Sequence, residues 1–139
     1  MKTLILSLMV TVSFVTLTKA QSLATLTVSI ENIENDEGMI RVGLYNTPNS
    51  WLEEVFMGGE TTIENGKGQL VFKNVPFGEY AISLYHDENN NGKLDKYLGF
   101  YPKEVYGCSN QARGNYGPPK WTDAKFTIDQ NTNKQIIKL

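Results

Sequence analysis

The segment His86–Asp95, HDENNNGKLD, sets acids and amides at alternate positions and ends that alternation on Asn91-Gly92. Counted from Asp87, the first, third and fifth positions are Asp87, Asn89 and Asn91, and the sixth is Gly92. This is the D-x-N-x-N-G opening of an EF-hand-type calcium loop. A chain wrapped around a hard cation turns every second oxygen inward, and glycine permits the sharp turn that follows. Lys93, in seventh place, would give its backbone carbonyl, Leu94 would anchor the loop to a core, and Asp95 stands ninth. The twelfth place holds Leu98 where the motif has a bidentate glutamate. A substitute must come from further along the chain; Glu104 is the nearest candidate and Glu88 a weaker one. The expected metal set is therefore Asp87, Asn89, Asn91, Lys93, Asp95 and Glu104, with calcium as the ion. So few formal charges imply a dissociation constant of about 10⁻⁴–10⁻³ M, as in extracellular modules. The same residues also suit a plain polar turn, since Asn and Gly reach the left-handed region cheaply. A turn alone does not account for Asp87 and Asp95 in one register, where they repel unless an ion, Lys93 or Lys96 offsets them.

Little else in the chain suggests chemistry. There is one histidine, His86, and one cysteine, Cys108. That excludes a three-histidine zinc site and a thiolate cluster. GCSNQ around Cys108 is not the G-x-S-x-G nucleophile elbow, and no glycine-rich phosphate loop occurs. Cys108, His86 and Asn110 have the residue types of a cysteine triad, but nothing in their spacing brings them together. The expectation is a non-enzymatic protein with no catalytic residue.

The elements that must hold the loop have a period of two. Leu26, Val28 and Ile30 alternate with polar residues in ATLTVSI, as do Ile40, Val42 and Leu44 in MIRVGLY. Leu70 and Phe72 share a face, as do Tyr80, Ile82, Leu84 and His86, and Ala124, Phe126 and Ile128; KQIIKL reads as a last strand. Half-buried strands separated by turn signals predict an all-β fold, an antiparallel β-sandwich of about seven strands. Asn35–Gly38 and Asn65-Gly66 are read as hairpin turns. Ser50 and Glu53 form a capping box before Trp51, Leu52, Val55 and Phe56, which predicts one short helix of one or two turns, with Trp51 and Phe56 plugging the core.

From Tyr97 to Asp123 the alternation fails, and the stretch is rich in Gly, Pro and aromatic residues. So much aromatic area predicts a long ordered loop rather than disorder. Tyr101, Tyr106, Tyr116 and Trp121, with Asn110, could line a face for a glycan or peptide. The competing role for the same side chains is a small core inside the loop.

The first twenty residues carry Lys2, an apolar run from Leu4 to Leu17, and small residues at Thr18 and Ala20. This is the pattern of a secretory signal peptide cut before Gln21, leaving 21–139 as a single domain in the periplasm or outside the cell. The apolar run is shorter than the roughly 20 residues of a membrane span, so none is expected once the leader is removed. Without Lys2 and Lys19, eleven basic residues face fifteen acidic ones, a formal charge of −4. A surface of that sign does not draw nucleic acid or anionic membrane. A lone cysteine in an oxidising compartment allows no internal disulfide, so Cys108 is expected to be buried.

VPFGEYAISLYHDENNNGKLD, followed by GFYPKEVYGCSN and GPPKWTDAKF, resembles a bacterial family of exported proteins, domain of unknown function 2141. The resemblance runs through nearly all of 21–139, including GMIRVGLYNTPNSW. Its pattern falls on Pro76, Gly78 and Tyr80, on His86 to Asp95, on Gly107, Ser109 and Asn110, and on Gly117 to Pro119. Cys108 stands where the family pattern has an aromatic or aliphatic residue, which implies packing rather than catalysis. The resemblance implies no activity. The Pro-Gly-Tyr strand also looks like those of transthyretin-like and other Ig-like sandwiches, which bears on fold alone. Apart from the resemblance, the aromatic loop or a sheet edge could dock an envelope protein or a glycan, as in an accessory subunit of an envelope assembly.

Overall fold

A computed structural model describes residues 21–139; the expected leader, 1–20, lies outside the described residues. In chain order the strands are β1 (Leu23–Glu31), β2 (Met39–Tyr45), β3 (Met57–Thr61), β4 (Gly68–Pro76) and β5 (Gly78–Asp87). There follow β6 (Lys96–Tyr97), β7 (Tyr101–Pro102), β8 (Tyr106–Cys108), a 3-10 turn at Ser109–Gln111, helix α1 (Trp121–Ala124), β9 (Phe126–Ile128) and β10 (Thr132–Lys138).

The period-two segments form strands because each buries one face. In β1, Ala24, Leu26, Val28 and Ile30 are buried and the residues between them half-exposed. One sheet runs β10-β1-β4 and a second runs β3-β2-β5-β8, with β9 beside the start of β5. Both sheets send side chains into one core: Leu26, Val28, Ile30 and Ile137 from the first, Ile40, Leu44, Ile82 and Leu84 from the second. Each such aliphatic contributes roughly 1.5–3 kcal/mol on burial. The all-β expectation holds.

Several expected connections take a different form. β10 pairs β1 in parallel, so the sheets are not wholly antiparallel. Asn35–Gly38 is not a hairpin, because β1 and β2 lie in different sheets. Instead the Asp36 carboxylate accepts the N–H groups of Asn65 and Gly66 at 2.9 and 2.8 Å, tying the two turns together. Asn65-Gly66 does make a two-residue turn, closed between Glu64 and Lys67, but the chain then splays into separate sheets. No helix follows Ser50. Leu52 has φ +62, which breaks the helical turn, and the Ser50 hydroxyl engages Thr47 rather than capping. Phe56 is exposed, while Trp51 packs on a second cluster. The short helix is α1, seventy residues later.

That second cluster covers part of the outer face of the second sheet. Tyr45, Ala81, Cys108, Ala112, Trp121 and Ala124 form it, with Trp51 edge-on to Tyr45 and Trp121 at centroid distances of 5.1 and 6.0 Å. It holds the 109–124 crossover on the sheet. Buried Ser109 pins the same crossover: its Oγ accepts the Ile82 N–H at 2.9 Å and donates to the Ala124 carbonyl at 2.5 Å.

Candidate functional site

The Asp87 loop starts where β5 leaves its sheet. Tyr80, Ile82, Leu84 and His86 face the core, so Asp87 falls on the outer face, as does Arg41 of the neighbouring β2. The loop folds back over Asp87 and buries it completely. Gly38 permits this approach: at φ +68, a Cβ there would stand 2.0 Å from the Asp87 carbonyl oxygen. Positive φ at Asn90 and Gly92 completes the turn, as the residue types predict.

Asp87 organises the loop from inside. Its Oδ1 accepts the Asn91 N–H at 3.0 Å, and its Oδ2 accepts the Gly92 N–H at 2.9 Å and Arg41 Nε at 2.6 Å. Arg41 also reaches Glu60 at 2.6 Å through Nη1. Burial pushes the Asp87 carboxyl up, but the Arg41 bond and the Gly92 and Asn91 N–H groups outweigh it and hold the carboxyl below its usual range.

Asp95 closes the other end. It accepts Asn89 Nδ2 at 2.8 Å and Asn91 Nδ2 at 3.0 Å, so two neutral amides offset its charge. Asn91 Oδ1 accepts the Lys93 N–H at 2.8 Å. The Asp95 N–H then donates to Glu104 Oε2 at 3.0 Å, and the Lys103 N–H to the Asp95 carbonyl at 2.7 Å. Glu104 is only 9% exposed, and its Oε1 is buried without a hydrogen-bond partner. An unpaired buried carboxylate oxygen is costly, and a ligand that satisfies it is correspondingly favoured.

Asp87, Asn89, Asn91, Asp95 and Glu104 thus share one hydrogen-bonded network, with Lys93 joined through its backbone. Glu104 lies in this network and Glu88 does not. Glu88 is exposed and accepts from Asn35 Nδ2 at 3.0 Å. Leu94 is half-buried and stays outside the main core. Among the described residues, no three acidic, histidine or cysteine side chains gather as a metal-binding group. Carboxylate and amide side chains meet here, but Asn89 and Asn91 turn Nδ2 to Asp95 and Oδ1 to backbone N–H groups, so an all-oxygen set for a hard cation needs both amides turned over. Arg41, invisible to the motif, meets the charge of Asp87; only its place opposite β5 reveals it.

The aromatic candidates disperse. Trp121 is buried in the second cluster, Tyr106 is half-buried at the start of β8, and Tyr101 stands exposed on β7. Tyr116 is fully exposed and lines a shallow cleft with Arg113, Lys120 and Asp123. Asn110 donates to the Lys125 and Asp123 carbonyls at 2.8 and 3.2 Å and so braces α1. A larger shallow groove, about 390 Å³, lies on the outer face of β2, β3 and β5 between Tyr45, Tyr85 and Val55. Sequence reading missed it because its floor is glycine.

Cys108 and His86 sit on opposite faces of the second sheet. Cys108 pairs with Ser83, whose side chain points outward, while His86 points inward. His86 Nε2 lies 2.6 Å from the Glu37 carbonyl oxygen, which only accepts, so this nitrogen carries the proton. These two groups do not form a catalytic pair. Burial raises the Cys108 thiol above its ordinary range. Maleimide labelling of the native protein is therefore expected to run at least about 100-fold slower than in the unfolded chain, because it waits on local opening. Equal rates would contradict burial of this thiol.

A family model described as "Uncharacterized protein conserved in bacteria (DUF2141)" matches residues 28–136. The chain belongs to this family. The DUF2141 match covers most of both sheets, the Asp87 loop and the crossover, so the network above lies inside the matched residues. No curated protein and no solved structure matches the chain.

Proposed function

We propose that this DUF2141 protein is an exported, non-enzymatic domain of the periplasm or cell exterior whose Asp87–Glu104 segment takes one calcium ion. The reading is carried by Glu104, a buried carboxylate with one unpartnered oxygen beside the amide-lined loop. Asp87, Asn89, Asn91, the Lys93 carbonyl, Asp95 and Glu104 would hold the ion. Rotation of each Asn amide about its last side-chain bond exchanges nitrogen for oxygen at the Asp95 side. Calcium offers only charge and coordination here, and the ion would lock the base of the 96–103 hairpin to β5. The two-sheet core is read further as an Ig-like or transthyretin-like sandwich, serving as a structural or accessory unit of an envelope assembly.

Calorimetric titration of calcium into the chelator-stripped domain tests this, with an expected dissociation constant of about 10⁻⁴–10⁻³ M. At an ion concentration 100 times that constant, unfolding should become about 2.7 kcal/mol harder. Glu104→Gln keeps an acceptor for the Asp95 N–H and removes the charge. It should fold as well as wild type in chelator and lose the calcium response. A melting curve indifferent to calcium in the wild type ends the proposal.

A second reading, a glycan or peptide site, now rests on the groove between Tyr45 and Tyr85 rather than on the Tyr97–Trp121 aromatics. Aromatic walls with Arg41 and Glu60 at one end favour it.

A further inference from the structure

We propose that the β6–β7 hairpin docks on an anionic lipid surface through its tip. Within five residues it exposes Tyr97 (58%), Leu98 (89%), Phe100 (73%) and Tyr101 (67%), and none of them belongs to either apolar cluster. Other exposed aliphatic side chains, such as Leu23 (48%) and Ile136 (44%), are less exposed, and four this exposed on one hairpin mark an interaction site.

Backbone strain is the second observation. Leu98 and Gly99 have φ +51 and +79, the signs of a type I′ turn, closed by the Phe100 N–H on the Tyr97 carbonyl at 3.2 Å. Asn, Asp or Gly suits the first of these positions; leucine there is strained. The chain thus holds a bulky apolar residue at its most exposed point against backbone preference. Solubility and turn chemistry both disfavour that choice, so its use lies in contact with something apolar.

Charge selects the occupant. Residues 93–103 carry Lys93, Lys96 and Lys103 against Asp95 alone. All three lysines are exposed, and among the described residues none forms an ion pair. Asp95 is already met by two amides. The chain is acidic as a whole, and Asp87, Glu88 and Glu104 lie near the stem, yet the hairpin itself, 96–103, carries Lys96 and Lys103 and no acidic residue, which modifies the expectation drawn from net charge. Apolar side chains at the tip, tyrosines behind them and lysines at the base match the depth profile of a bilayer interface: acyl boundary, headgroup level and anionic phosphate. The stem is firm, because Lys103 N–H bonds the Asp95 carbonyl and Glu104 holds the Asp95 N–H.

The test uses residues 21–139, which contain every described element, and vesicles of phosphatidylglycerol and phosphatidylethanolamine, in chelator and in calcium. Wild type should co-sediment in at least one buffer, and Leu98→Asn with Phe100→Ser should lower the partition coefficient by about tenfold or more. Leu98→Asn relieves the positive φ, so this variant should melt no lower than wild type, and its loss of binding cannot be ascribed to unfolding. High salt should weaken wild-type binding, as lysine contacts require. Equal partitioning of wild type and variant, or none in both buffers, overturns the proposal. So does tip-dependent self-association without vesicles in sedimentation velocity, which would assign the tip to a second copy. The calcium proposal is scored separately, by the Glu104→Gln titration, which the tip variant leaves unchanged.

Discussion

Asp87→Ala is expected to lower the unfolding free energy by about 3 kcal/mol or more, whether or not calcium is present. The carboxylate is fully buried and paired to Arg41 at 2.6 Å. Removing it leaves Arg41 with Glu60 alone and the Asn91 and Gly92 N–H groups without their acceptor. Arg41 keeps 29% side-chain exposure and can partly rehydrate, which places the loss near the lower end for a broken buried pair. Urea denaturation at neutral pH measures it. A loss under about 1 kcal/mol, the scale of an exposed pair, would mean the buried bond is not formed in solution.

The same carboxylate gives a pH signature with a definite sign. Its folded value lies below the ordinary aspartate value of about 3.9. The stabilisation is therefore complete above about pH 4 and is lost as pH falls through the lower, folded value. Asp87→Ala should lack this part of the acid slope. Because the alanine variant weakens the fold for its own reasons, it cannot serve as the calcium control, and Glu104→Gln takes that place.

Trp121→Ala is expected to cost about 3–5 kcal/mol, the range for deleting a buried aromatic. Trp121 is the largest side chain in the cluster that fastens the 109–124 crossover to the second sheet. Without it, Trp51 loses its edge-on neighbour and Ala124 and Cys108 border a cavity. Denaturant unfolding followed by far-ultraviolet circular dichroism reads the loss. A near-neutral result would show that the crossover is held by Ser109 and backbone bonds alone. That would return Trp121 to the role of a ligand-facing aromatic.

These two expectations mark where local pattern stops being informative. The period of two, the Asn-Gly turns and the D-x-N-x-N-G spacing are properties of neighbouring residues. They determined that the chain is all-β, which side chains of β1, β2 and β5 point inward, and that the loop bends at Asn90 and Gly92. β3 escaped because MGGET has no alternation; it is a strand only because β2 offers a free edge. The parallel pairing of β10 with β1, and the separation of β1 and β2 into different sheets, depend on contacts distant along the chain.

The candidate site divides along the same line. Asp87, Asn89, Asn91 and Asp95 could be picked out as candidates from their spacing alone, but which atom each Asn turns toward Asp95 was decided by folding. Arg41, 46 residues from Asp87 in sequence, and the burial of Glu104 with an unsatisfied oxygen were decided by folding. So was the fate of the aromatics. Only packing decided that Trp121 would lie in a core while Leu98 and Phe100 stand on a tip. Burial is a property of the surface a side chain meets, and no local pattern encodes what lies across from it.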